Sequence, residues 1–331
     1  MATTQALLRA GADPNQRFGS HSSPLLAQAR SPEMLELLLD AGVVVEPRMV
    51  VDQDSYDRPH GAERVLVGIA NGEALSWTGW VEHPSLETRT AMLRRVIEAR
   101  SIAPEQVAKA LRSEVFRSQP AGVQALLAAD ADPHSQPRLL AAVCFGAQDP
   151  SDDASDPERV VGLLVEAGLD PDDEDERGFR PLLTALSPDT FGPEYQESDG
   201  YNGSAALGLI RHGAEVNLVY PATEIEQLEP PKVAGWTPLL VAAHFGDGPV
   251  VEALLVAGAD PRVTTPQGST AVDLAQAGLA ALAERVPPAP PADDANPWRH
   301  REYDSLVQSR RQHLDEAERA LALIRAAGAG T

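Results

Sequence analysis

One short element recurs along the chain and constrains the fold more than any other feature: a pair of aliphatic residues, a turn of helix, then a small residue or glycine followed by an acidic or small residue. It reads LLRAGADPN at 7–15, LLLDAGVVV at 37–45, LLAADADPH at 126–134, LLVEAGLDP at 163–171, LIRHGAEVN at 209–217 and LLVAGADPR at 254–262. A looser copy, VIEARSIAP, occupies 96–104, and LIRAAGAG closes the chain at 323–330. Each copy is the end of an amphipathic helix whose paired Leu or Ile faces a core, stopped by a residue able to take the left-handed cap conformation. A unit of this kind cannot bury its apolar face alone, so it predicts a stack of repeats.

A second element precedes several of these: SPLLAQARS at 23–31, PRLLAAVCFG at 137–146, RPLLTALSP at 180–188 and TPLLVAAHFG at 237–246. Ser23 and Thr237 are natural N-caps, and Pro24, Pro181 and Pro238 are placed for the first helical position, where a missing N–H costs nothing. STAVDLAQAG at 269–278 is a further variant, with Asp273 at its polar position. Two helices per unit, with small residues on the first so that the pair can approach, is the expected building block.

These residues resemble the ankyrin repeat family, whose unit is a turn plus two antiparallel helices with a T-P-L-H-x-A signature; the clearest copy is GWTPLLVAAHFGDGPVVEALLVAGAD, from Gly235 to Asp260. Leu26, Leu183 and Leu240 stand where the family has its signature His, so stacking must lean on apolar contact. The resemblance implies an all-α ankyrin-repeat solenoid of helix-turn-helix units with short β-hairpin or loop connections. It implies a single array of about 6–8 units over 1–331, with a partial unit at 1–15, a divergent unit with an insertion at 43–104, the clearest units at 137–262 and a C-terminal capping region at 269–331.

The array is irregular. Successive caps at Gly11, Gly42, Arg100, Asp130, Gly168, Gly213, Gly258 and Ala327 lie 31, 58, 30, 38, 45, 45 and 69 residues apart, against a plain step of about 33. The excess falls around Trp77 and Trp80, at 147–157, at 187–203, at 217–236 and in the Pro-rich stretch 286–298 (VPPAPPADDANPW). A helix over 301–327 is expected to close the stack. At the other end the first unit lacks its first helix, which leaves an edge for a tolerated half-repeat or for self-association.

Acidic residues number 49 against 27 basic, a net charge of −22. Nucleic acid and anionic membranes are repelled by such a chain, while a basic or mixed-charge protein is steered toward it. Neither a run of 18 apolar residues nor a secretory leader is visible, so a cytoplasmic home is expected. A single cysteine excludes an internal disulfide. With only Lys109 and Lys232 as lysines, the arginine bias and abundant alanine suggest a GC-rich bacterial genome.

No phosphate loop, dinucleotide fingerprint, zinc-protease helix or nucleophile elbow is present, and the eight histidines show no metal-ligand spacing. Cys144, in LLAAVCFG, reads as a buried thiol. DPDDEDERG at 170–178 fails as a calcium loop because Arg177 and Thr184 fall where ligands are needed. The sequon at Asn202 carries no weight without a leader. Neither catalytic residues, metal nor cofactor are therefore expected. What remains is recognition. Candidate partner-binding residues are Trp77, Trp80, Phe179, Arg180, Tyr195, Tyr201, Tyr220, Trp236, His244 and Phe245, because aromatic and Arg side chains in turns and insertions are the usual anchors of an interface. The reading is a non-enzymatic scaffold that binds a partner protein through the concave face of the stack and the inserted loops. Its alternatives are an immunity-like neutraliser of a basic effector, and a small-molecule binder or enzyme that uses the insertions as a pocket.

Overall fold

Six helices end with the same chain geometry. In the computed structural model the residue after the last turn has a positive φ at Gly11 (88°), Gly42 (83°), Asp130 (66°), Gly168 (101°), Gly213 (90°) and Gly258 (92°). Glycine enters this region freely, and aspartate is one of the few other residues that tolerates it. The next N–H then reaches back to a leucine five residues earlier: Ala12 to Leu7, Val43 to Leu38, Ala131 to Leu126, Leu169 to Leu164, Ala214 to Leu209 and Ala259 to Leu254. This closes an otherwise orphaned carbonyl. The recurring sequence element is thus a recurring cap.

The structure describes residues 2–15, 17–18, 23–24, 32–43, 66–67, 69–70, 85–98, 102–136, 138–145, 155–174, 178–186, 202–221, 233–284 and 297–329. They divide into two compact units, Met1–Leu169 and Asp170–Thr331. In the first unit lie α1 (Ala2–Arg9), the hairpin β1 (Arg17–Phe18) and β2 (Ser23–Pro24), α2 (Pro32–Asp40), α3 (Leu86–Glu98), α4 (Pro104–Phe116), α5 (Pro120–Ala128), α6 (Leu139–Phe145) and α7 (Pro157–Glu166). Here α2, α3, α5 and α7 pack side by side in one layer, while α4 packs on α5 and on α6, and α6 on α7, forming the other. Arginines of α3 tie its layer together: Arg95 bridges to Asp40 and Glu36 of α2, and Arg94 reaches the Ala128 carbonyl and Asp130 beyond α5. These pairs are solvent-exposed and contribute little to stability. Leu93, Val96, Leu111, Val123 and Leu126 supply the interior.

In the second unit lie α8 (Pro181–Ala185), α9 (Gly203–Arg211), α10 (Pro238–Phe245), α11 (Gly248–Val256), α12 (Ala271–Glu284) and α13 (Pro297–Ala329). They pair as α8 with α9, α10 with α11 and α12 with α13. Within the layers α9 packs on α11 and α11 on α13, while α10 packs on α12. Helix α13 spans the expected 301–327 and starts four residues earlier, at Pro297, where proline suits the first turn. Its second half buries Ala317, Ala320, Leu321 and Ile324, and Arg319 pairs with Glu252 of α11. The expectation of an all-α repeat fold holds, the β content of the described residues being the two-residue pair β1–β2, the bridge of Thr264 to Thr270 and the bridge residue Leu186.

One local expectation changes. Pro24 belongs to β2, paired with Arg17 across the hairpin, rather than to a first helical turn; proline's fixed φ is compatible with a short edge strand. Helix α4 carries no proline-leucine-leucine signature, yet it is a full first helix, started by Pro104 with Gln106 accepting from the Ala103 N–H.

Candidate functional site

The turns that follow each cap build one end of the second unit, and their chemistry begins with short acidic side chains. The residue two after the cap accepts a hydrogen bond from the N–H two residues on: Asp170 from Asp172, Glu215 from Asn217, and Asp260 from Arg262, at 2.9–3.0 Å. In the first unit Asp13 and Asp132 do the same for Asn15 and His134. Such side-chain turns hold the chain in a fixed bend. The fourth residue then reaches the neighbouring repeat. Asn217 donates to the Gly258 carbonyl at 3.1 Å and accepts from the Asp260 N–H at 3.0 Å. Asp172, which can only accept, takes the Glu215 N–H at 3.0 Å. The acidic run at 170–174 is therefore part of this ladder and of a pairing with Arg180, whose guanidinium lies 3.7 Å from Asp172 and 3.6 Å from Glu174.

Beyond Asn217 the chain enters the insertion before α10, and its base is closed by two backbone hydrogen bonds. The Tyr220 N–H donates to the Trp236 carbonyl at 2.9 Å, and the Gly235 N–H donates to the Tyr220 carbonyl at 3.0 Å. The Tyr220 ring turns inward and is 1% exposed, with Phe179 edge-on at 6.2 Å between centroids and itself 7% exposed. The Tyr220 hydroxyl donates to the Leu183 carbonyl at 2.7 Å. Helix α8 is only five residues long. Two carbonyls of its last turn find donors outside it, Leu183 from Tyr220 and Ala185 from the Asn202 N–H. Tyr220 thus ties the insertion's base to the preceding repeat.

Trp236 takes the opposite course. It is half-buried, and its ring lies along α10, 5.7 Å from the ring of His244 at an interplanar angle of 86°. His244 is exposed and meets the half-buried Phe245 at 5.4 Å and 78°. The remaining residues of α10, Pro238 to Ala243, are buried. The ring cluster therefore lies beside a helix whose other residues are buried. Thr237 caps α10 by accepting from the Leu240 N–H, as expected. The neighbouring rings shield one side of His244 from solvent, and this desolvation lowers its pKa from the ordinary value.

Of the ten residues singled out by sequence, Trp236, His244 and Phe245 are brought together, and Arg180 is half-buried in its acidic pairing. Phe179 and Tyr220 are corrected from surface anchors to interior residues, because a ring at the base of a stapled loop serves packing and offers no contact area. Trp77, Trp80, Tyr195 and Tyr201 lie outside the described residues. Sequence reasoning missed the Asn217 and Asp172 ladder, whose signal was a recurring polar residue four positions after each cap.

Three other polar residues are structurally engaged. Cys144 is buried, its thiol donates to the Leu140 carbonyl, and burial pushes its pKa up to about 12. Asn202, the sequon residue, is 2% exposed and caps α9 through the Ala205 N–H. Asp273 and Thr270 cap each other at the start of α12, which holds the Asp273 carboxyl below its usual range. No three His, Cys, Asp or Glu side chains among the described residues are placed to hold a metal, and no described helix is long and apolar enough to cross a membrane.

The fold and its caps define a helical repeat protein. Residues 234–266 match the model of the ankyrin repeat, a protein–protein interaction module; the match covers α10, α11 and the turns on either side. No curated protein matches the chain.

Proposed function

We propose that the chain is a non-enzymatic scaffold that binds a partner protein through the concave face of its repeats and through its inserted loops, and that the partner is basic or of mixed charge. The observation that carries this reading is the group of Trp236, His244 and Phe245, half-buried or exposed rings brought together beside a helix whose residues Pro238 to Ala243 are buried. Aromatic side chains on a rigid support lose little entropy on contact and dominate interface energies. The net charge of −22 supports a basic surface opposite. Composition supports a bacterial cytoplasm as its setting.

The test is affinity capture from the native lysate at about 50 and 200 mM salt, a range over which screening of exposed charges strengthens markedly. A specific protein should elute, bind more weakly at the higher salt, and be lost when Trp236→Ala and Phe245→Ala are combined. Equal capture by the double variant contradicts the reading.

A further inference from the structure

Helix α13 is longer than the helices it packs against, and its position fixes where the excess lies. At the α10–α11 turn a Cβ on Gly246 would fall 2.6 Å from the Ala317 Cβ and 3.6 Å from Leu282 Cδ1, and a Cβ on Gly248 would fall 2.8 Å from the Glu316 carbonyl oxygen. Arg319 then pairs with Glu252, one turn further along α11. Helix α13 therefore runs beside α11 in the same direction and opposite to α12. Its residues before Leu314 lie past the level at which α10 ends, α11 begins and α12 ends at Glu284. From Pro297 to His313 this extension measures about 25 Å.

The extension continues the pattern that the packed half uses. Ala317, Leu321 and Ile324 are buried, at alternating steps of four and three. The same alternation runs back through Leu314, Arg310, Val307 and Tyr303, which is the spacing of a coiled-coil seam. Val307 and Leu314 are half-buried, while Gln308, Ser309, Arg311, Gln312 and His313 between them are exposed. In a chain of net charge −22, this stretch has four arginines against Glu302 and Asp304. Two copies can therefore approach here without the repulsion that the rest of the chain sets up. The stretch is also complementary to itself in one orientation. Laid antiparallel on a second copy, with Tyr303 facing Leu314 and Val307 facing Arg310, the seam sets Asp304 beside Arg311 of that copy, and two-fold symmetry repeats the pair. An arginine opposite Val307 is tolerated because its aliphatic stem covers the valine with the guanidinium in water. Parallel pairing would set Arg310 on Arg310, like charges within the seam.

We propose that the extension of α13 pairs antiparallel with the same extension of a second copy, through Tyr303, Val307, Arg310 and Leu314, and makes the chain a homodimer.

Sedimentation velocity of the whole chain over about 1–300 μM, a span in which micromolar dissociation constants register, should show the mass rising from monomer toward dimer. Asp304→Arg and Arg311→Asp each turn two attractions into two repulsions and should weaken association about fivefold or more. Mixed in equal amounts, the two variants carry opposite charges at both contacts, and their heterodimer should form as tightly as the unaltered dimer. Circular dichroism of each variant alone checks that its helix content is kept. A monomer at every concentration overturns the proposal, as does a dimer that neither variant weakens. Weakening that mixing folded variants fails to restore overturns the antiparallel pairing. Capture of a different protein through the repeats is read separately and stands or falls on its own.

Discussion

Replacing Tyr220 by phenylalanine removes one oxygen atom and separates a structural role from a binding role. The hydroxyl donates to the Leu183 carbonyl at 2.7 Å, and Leu183 is itself 2% exposed. Without the donor, a buried carbonyl at the end of a five-residue helix loses its partner from the next repeat. Leaving a buried acceptor unsatisfied costs about 1–2 kcal/mol. For a unit of this size that lowers the melting temperature by roughly 2–8 °C. Tyr220→Ala removes the ring as well, opening a cavity against Phe179 at a cost of about 3–5 kcal/mol. Circular dichroism at 222 nm during thermal and urea unfolding reads both variants. Partner capture by Tyr220→Phe should match the unaltered protein at temperatures where both are folded. A Tyr220→Phe variant as stable as the parent, or one equally stable but defective in binding, would refute the assignment of this residue to the interior.

Three further perturbations test the packing and the titration behaviour. Gly278→Ala in α12 should destabilise by about 1–3 kcal/mol, because the added methyl falls inside the van der Waals surface of the His244 carbonyl oxygen; helix propensity alone would stabilise by about 1 kcal/mol, so the sign measured in urea decides between them. Asn217→Asp should cost about 1 kcal/mol by replacing the donor to the Gly258 carbonyl with a second acceptor, a loss visible as faster hydrogen exchange at the 258–262 turn. Cys144 should resist thiol reagents in the native state and react on unfolding. Its folded pKa of about 12 stands above an unfolded value of about 8.5. The fold thus favours the protonated thiol, and this contribution is full below pH 8.5 and lost progressively as pH rises toward 12. Cys144→Ala should therefore soften the alkaline fall in stability, and an unchanged alkaline profile would contradict the burial.

Most of the helical framework was legible because its signals are local. The caps at Gly11, Gly42, Gly168, Gly213 and Gly258 announce themselves through backbone conformation, and Thr237 with Pro238 announces the start of α10. Helix α4 was silent because propensity and packing, rather than a motif, define it. Tyr220 illustrates the limit most clearly: a tyrosine in an insertion looks exposed, and only the pairing of its backbone with Gly235 and Trp236, fifteen and sixteen residues on, turns the ring inward. Trp236 sits on the same pair of hydrogen bonds and turns outward, a distinction that no local pattern carries. The Asn217 ladder was hidden for a related reason, since its partners lie one repeat away at Gly258 and Asp260.

The most direct test of the account is hydroxyl-radical footprinting of the intact chain, alone and with the captured partner. In the free protein Trp236, His244 and Phe245 should be oxidised while Phe179 and Tyr220 are spared, as their burial requires. Addition of the partner should protect Trp236, His244 and Phe245 together. Protection confined to the exposed Val256 of α11, with the α10 rings oxidised as fast as before, would contradict the central claim.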